Sequence, residues 1–263
     1  MAIVYALANQ KGGVGKTTTA VNLGAYLGTL SQRVLLVDID PQANATSCLG
    51  IEKSEVDLST YHVLVDGVTF ADVVRPTAHT GLEIAPSSPD LAGATVELVD
   101  MTRREYRLRR ALANLSRARS YDYILIDCPP SLGILTVSGL TAAGGVIIPV
   151  QCEYLALEGL SQLARAIQLV RRALNPQLTL RGLVMTMYDA RTNLSEQVVT
   201  EVRRHFRKQV FDAIIPRSVR LSEAPSFGVP IQVHAPRSSG ARAYEALARE
   251  LLVGDGCAPD GAA

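Results

Sequence analysis

Short runs of consecutive apolar residues alternate along this chain with longer stretches whose apolar residues recur every three or four positions. The runs at residues 3–8, 33–38, 123–127, 145–150 and 180–187 are mostly rich in Val, Ile and Leu, as parallel strands covered on both faces must be. Helical periodicity marks residues 16–30, 102–119, 155–174, 195–208 and, after Gly240, 241–253. Strands that alternate with helices predict an α/β fold with a doubly wound, mostly parallel sheet flanked by helices. Residues 43–89 resist this reading. They carry few periodic signals and several Gly, Pro, Ser and Thr residues, and read equally as a mobile loop with short helices or as a rigid surface excursion. No internal repeat is visible.

Composition adds limits. At 263 residues and 48% apolar content, one domain over residues 1–253 buries a full core. The small, polar segment 254–263 is expected to be a disordered tail. No apolar stretch reaches the length of about 18 residues that spans a membrane. The opening MAIVYALANQ has no basic region ahead of its apolar run, so no signal peptide is expected. The cysteines, Cys48, Cys128, Cys152 and Cys257, form no Cys-x-x-Cys pair and read as reduced thiols of a cytoplasmic protein. The net charge of +1 is unevenly spread: residues 1–100 hold 5 basic and 11 acidic groups, and residues 165–220 hold 11 basic and 4 acidic. That asymmetry points to an anionic partner for the second half.

The first predicted strand runs into Asn9-Gln10-Lys11-Gly12-Gly13-Val14-Gly15-Lys16-Thr17-Thr18, directly before a helix. A phosphate-binding loop needs inward backbone N–H groups, glycines that allow close approach, a lysine for the β/γ-phosphates and a hydroxyl for Mg²⁺. Gly15-Lys16-Thr17 supplies the end of that pattern. Gln10 stands where the first glycine of the strict motif belongs, and Lys11 with a glycine pair takes its place. A dinucleotide site is the competing reading, since Asp38 sits roughly where a ribose-binding acid would. It lacks the third Gly or Ala and leaves Lys16-Thr17 without a role.

The segment Lys11–Thr18 resembles the deviant Walker A motif of the ParA/MinD group of P-loop ATPases. Residues 34–42 (VLLVDIDPQ) resemble the group's second motif, and residues 124–130 (ILIDCPP) its Walker B strand. Residues 187–193 (MYDARTN) and 215–228 (IPRSVRLSEAPSFG) resemble segments of the chromosomal ParA (Soj) branch. The resemblance spans roughly residues 2–253 and makes that span a single P-loop ATPase domain.

Physical chemistry and resemblance together assign roles. Lys16 neutralises phosphate charge, Thr17 ligates Mg²⁺, and Thr18 meets the α-phosphate, with Gly12, Gly13, Val14 and Gly15 forming the cradle. Asp127 ends an apolar strand, where a carboxylate is costly unless it serves a cation. Asp38 and Asp40 end another; the residues alone do not rank the two. The resemblance implies that Asp40 positions or activates the attacking water and that Asp38 lies near the metal. It also implies that Lys11 reaches a partner subunit's phosphates across an ATP-dependent sandwich homodimer, where Gly12 permits close approach. Pro216 and Arg217 resemble the loop over the adenine, although Pro216 reads equally as a turn proline.

Arg191 and Arg220 match positions that bind DNA backbone in the family, so non-specific double-stranded DNA is an expected partner. Arg203, Arg204, Arg207 and Lys208 are candidates for the same surface. Arg103, Arg107 and Arg110 recur at helical spacing opposite Leu108, Leu112 and Leu115, and read as the wet face of an amphipathic helix. The resemblance further implies a ParB-like centromere-binding protein that stimulates hydrolysis, and a nucleoid-associated location. A MinD-like division regulator is the nearest rival. It needs a basic amphipathic C-terminal helix, whereas the last helix here has as many acids as arginines. An iron–sulfur carrier would need paired cysteines, and a small-molecule ligase on the same loop is a further alternative.

Overall fold

The computed structural model describes residues 2–153 and 156–257. Its strands are β1 (Ile3–Leu7), β2 (Val34–Asp38), β3 (Arg75–Pro76), β4 (Leu82–Ala85), β5 (Tyr123–Asp127), β6 (Gly145–Gln151), β7 (Thr179–Tyr188) and β8 (Val210–Pro216). They form one sheet in the order β3-β4-β2-β5-β1-β6-β7-β8. All neighbours are parallel except β3, which runs antiparallel to β4.

Strand side chains alternate between the two faces, and here both faces are dry. Val34, Leu36, Tyr123 and Leu125 pack under helices Lys16–Thr29 and Ser239–Gly254 on one side. Leu35, Val37, Ile124 and Ile126 pack under helices that include Arg107–Ala118 and Ile134–Ala142 on the other. This two-sided burial is why the strands read as continuous apolar runs.

Several boundaries differ from the sequence reading. The helix expected over 102–119 begins at Arg107, because Arg103 takes a left-handed conformation with φ 54° and a 3-10 turn, Arg104–Tyr106, follows. The helix expected over 195–208 spans Asn193–Phe206, with the Thr192 hydroxyl accepting from the Ser195 N–H. The helix expected from residue 155 is described over Ala156–Ala173; Leu155 lies outside the described residues. Helix Ser239–Gly254 and the turn after it carry the chain into the segment expected to be a tail. Asp255 there accepts from Tyr5 Oη at 2.8 Å, Arg181 Nε at 2.8 Å and Tyr123 Oη at 3.0 Å. The rest of that segment, 258–263, lies outside the described residues.

Candidate nucleotide site

The site lies where β1, β2 and β5 end. Asn9 anchors the loop after β1, donating from Nδ2 to Pro149 O at 2.7 Å and accepting from the Lys11 N–H at 3.1 Å. Gly13 (φ 73°) and Gly15 (φ 89°) take left-handed backbone that a side chain would strain. Helix Lys16–Thr29 starts directly after Gly15 and has no side-chain cap. Its first N–H groups are therefore free to meet an anion, with the helix dipole behind them. Lys16 is buried and its Nζ donates to Lys11 O across the loop at 3.2 Å. Burial lowers its pKa, opposed by the Asp127 and Asp40 carboxylates. Thr186 on β7 steadies the loop by donating to Val14 O at 2.8 Å.

Asp127 and Asp38 are register partners on adjacent strands and both are fully buried. Asp127 Oδ2 accepts from Thr17 Oγ1 at 2.7 Å, while its Oδ1 is buried without a partner. Burial, then the Asp38 charge, raises Asp127 well above the usual carboxylate range, despite the Thr17 bond. Burial lifts Asp38 to about 6 against the pull of the Thr46 bonds. Two buried carboxylates on neighbouring strands, one with an orphaned oxygen, are a constellation short of positive charge. A divalent cation ligated through Thr17 fits that shortage. Among the described residues no three His, Cys, Asp or Glu side chains form a self-sufficient metal cage.

Residues 43–89, opaque in the sequence, supply the supports of this site. Asp38 Oδ2 accepts from the Thr46 N–H at 3.0 Å and Oγ1 at 2.8 Å. Thr46 Oγ1 in turn accepts from the Ser87 N–H at 3.0 Å. Ser87 Oγ donates to Asp40 O and Thr60 Oγ1 to Asp38 O, both at 2.8 Å. These hydroxyls are all buried, and they separate the two aspartates that the sequence left unranked. Asp38 has both oxygens engaged, the second by the Asp40 N–H at 3.1 Å. Asp40 sits at the mouth, with Oδ1 accepting from the Gln42 N–H at 2.9 Å and Oδ2 available. Scattered Thr and Ser residues in an aperiodic segment were the only signal for these supports.

Beside the loop a cavity of about 260 Å³ is lined by Gly15, Thr18, Met187, Pro216, Arg217 and Tyr244, among others. Met187 is left-handed at φ 52°, which for this residue type is strained backbone of the kind that clusters at binding sites. Lys11 leaves the loop entirely: its exposed side chain pairs with Glu153 Oε2 at 2.6 Å. A Cβ on Gly12 would come no closer than 4.0 Å to Pro130 Cβ, so nothing inside the monomer demands glycine there.

Arg191 and Arg220 are exposed, each against a carboxylate. Arg191 donates from Nε and Nη2 to both oxygens of Asp189, at 2.9 and 2.7 Å, and this guanidinium holds Asp189 below the usual range. Arg220 Nη1 lies 2.9 Å from Glu223 Oε2. β7 and β8 pair at Tyr188 and Pro216, so the segments carrying Arg191 and Arg220 leave neighbouring strands at the same sheet edge. Arg203, Arg204, Arg207 and Lys208 do not join them. They end helix Asn193–Phe206 and lead into the start of β8, at the opposite edge; Arg203 and Arg204 are also paired with Asp212 and Glu201. Arg103 likewise drops out of the expected arginine stripe, because the helix starts after it. Cys48, Cys128 and Cys152 are buried. The last helix spends its apolar face, Tyr244, Leu247, Leu251 and Leu252, on the core, which leaves no such face for a membrane.

Comparison with known proteins agrees with this geometry. A family model described as an AAA domain matches residues 2–180. The chain is 55% identical over 251 residues to the sporulation initiation inhibitor protein Soj of Bacillus subtilis, covering 95% of this chain and 98% of that protein. It is 53% identical over 252 residues to the chromosome partitioning protein ParA of Myxococcus xanthus, covering 96% and 88%. Among solved structures, a Mycobacterium smegmatis protein named cobyrinic acid a,c-diamide synthase, with bound ADP and magnesium, superposes with a TM-score of 0.82. It is 41% identical over 94% of this chain and 93% of that one. With a phosphate loop, a buried carboxylate pair and this degree of identity along nearly its whole length, the chain belongs to the Soj/ParA family of chromosome-partitioning ATPases.

Proposed function

We propose that this protein is an ATP-driven DNA-partitioning switch. Mg-ATP binds at residues 11–18 and joins two copies face to face; the dimer holds duplex DNA without reading its sequence; hydrolysis, stimulated by a ParB-like partner, releases it. The observation that carries the reading is the Thr17–Asp127 pair with its orphaned Asp127 oxygen, set against a helix N-terminus that lacks a cap. When bound, Mg²⁺ would neutralise phosphate charge and polarise the bond that breaks.

The chain's own residues do the rest. Lys16 and the loop N–H groups hold the phosphates, and Asp127 orients Thr17. Asp40, at the mouth of the site, is placed to orient a water, while Asp38 fixes the backbone that carries it. Pro216 and Arg217 cover the base beside Thr18. Lys11 exchanges Glu153 for the partner's phosphates, and Gly12 leaves room for the second loop. The cytoplasm, on the nucleoid, is the location this activity requires.

A second reading comes from the Mycobacterium smegmatis structure, whose name is that of a small-molecule ligase. The higher identity to partition proteins favours the switch. Duplex binding measured with no nucleotide, ADP, ATP and a non-hydrolysable analogue separates the two. The switch requires ATP-dependent, sequence-tolerant binding that weakens steeply with salt. Arg191→Ala and Arg220→Ala each weaken it while leaving ATP-driven dimerisation intact, and Gly12→Val stays monomeric. ATP-independent binding, or none, refutes it.

A further inference from the structure

Helix Arg107–Ala118 carries more positive charge than the chain answers. Arg107 is committed: its guanidinium donates to Leu64 O and, at 3.1 Å, to Val65 O. Arg104 and Arg119 also have acceptors. Among the described residues, Arg103, Arg109, Arg110 and Arg117 are exposed and their side chains make no hydrogen bond or ion pair. Arg110, Asn114 and Arg117 follow helical spacing and form one ridge, with the two guanidinium stems about 10 Å apart along the axis.

Arg110 and Asn114 of this ridge line a groove of about 430 Å³ between the helix and residues 63–71, while Arg117 lies outside it. Its floor is apolar, from Val63, Phe70, Ala111 and Leu115, and Gly67 and Ala71 line the facing wall. Small residues there let another backbone approach closely. None of the residues that line this groove is among those gathered at the phosphate loop and its acidic site.

We propose that this groove is a docking site for a short acidic amphipathic helix of a partner protein. The apolar floor takes residues at i, i+3 and i+4 of the incoming helix. Arg110, unpaired at the groove's rim, takes a carboxylate of the incoming helix. Duplex DNA fits poorly, because an apolar floor offers nothing to a phosphate backbone. The proposal is independent of the DNA-partitioning reading and of the arginines that reading uses.

The test is a peptide-display selection against the full-length protein, using a random library of peptides about fifteen residues long, with Arg110→Glu in excess as soluble competitor. Selected peptides are then titrated by fluorescence anisotropy. The expected winners carry net negative charge with apolar residues at helical spacing. They bind the parent roughly tenfold or more tightly than Arg110→Glu, and they bind Arg191→Ala unchanged. Asn114→Trp, an exposed position at the groove, blocks binding without touching the ridge charges, and circular dichroism checks that both variants are folded. Winners that are not acidic, or that bind Arg110→Glu as well as the parent, overturn the proposal. So does a selection without winners. Loss of duplex binding by Arg110→Glu alone would assign the ridge to nucleic acid, and loss of self-association in ultracentrifugation would assign it to a second copy; either result also overturns it.

Discussion

Replacing Thr46 with Val tests whether the hydroxyl supports hold the acidic site together. The two side chains have nearly the same shape, so the change removes one oxygen from a residue with no exposed surface. Two bonds go with it. The Oγ1 donation to Asp38 Oδ2 at 2.8 Å is a bond to a charged group, and such bonds contribute about 1.5–3 kcal/mol. The Ser87 N–H, 3.0 Å from the same oxygen, loses its acceptor in a buried position, at a cost of about 1–3 kcal/mol. Asp38 keeps the Thr46 and Asp40 N–H groups, so the expected loss is about 3–5 kcal/mol. For a domain of this size that lowers Tm by roughly 6–20 °C. Thr46→Ser is the control: it keeps the hydroxyl and gives up one buried methyl, about 1 kcal/mol. Urea denaturation of the three proteins without Mg²⁺ measures the differences at constant m-value. A Val variant within about 1 kcal/mol of the parent would refute the reasoning, as would a Ser variant equally damaged.

Asp38 also predicts a pH dependence. Its folded pKa of about 6 lies above the ordinary carboxylate value of 3.8, so the folded state holds a proton that the unfolded chain has released. Stability of the Mg-free protein therefore falls as pH rises from about 4 to 6, by roughly 3 kcal/mol from Asp38, and Asp127, raised in the same direction, adds to the fall. Asp38→Asn should make that slope shallower in urea titrations, leaving the part that burial of Asp127 contributes; an unchanged slope would place the Asp38 carboxylate outside the balance. Lys16→Ala should weaken nucleotide binding more than about thirtyfold by calorimetry, because the phosphates lose a buried cation, while leaving the urea midpoint close to the parent's; affinity within a few-fold would exclude this loop as the site. Asp255→Ala strands Arg181 and two tyrosine hydroxyls and should cost about 2–4 kcal/mol. A midpoint unchanged in urea would show that the network carries no net stability.

The central strands were legible because both their faces are covered, which leaves unbroken apolar runs. The outer ones were not. β3 has two residues, one of them a proline, β4 has four residues, and β8 is interrupted by Asp212 and closed by Pro216. Helix Ile134–Ala142 was hidden for another reason: it is apolar on nearly every side and shows no periodic stripe. At the site, Lys16 and Thr17 could be named because their spacing is set by local backbone, and Asp127 because a carboxylate ends an apolar strand. The hydroxyls of Thr46, Thr60 and Ser87 act on Asp38 and Asp40 from up to 47 positions away, and no spacing rule connects them. Charge counts misled at Arg203, Arg204, Arg207 and Lys208, since a helix carries its two ends to opposite edges of the sheet.

The Tyr5–Asp255 bond joins residues 250 positions apart, and it has a consequence for biosynthesis. Domains tend to fold as units, from the N-terminus, while the chain is still being made. β1 emerges first, yet its flanking strands β5 and β6, and the aspartate that secures it, are translated far later. Strand β1 must therefore wait, apolar and unpaired, until about 120 further residues have been made. The sheet can close only once β8, residues 210–216, has emerged, and the Asp255 bond that secures β1 forms later still, so the nascent chain exposes an apolar strand edge for an extended period.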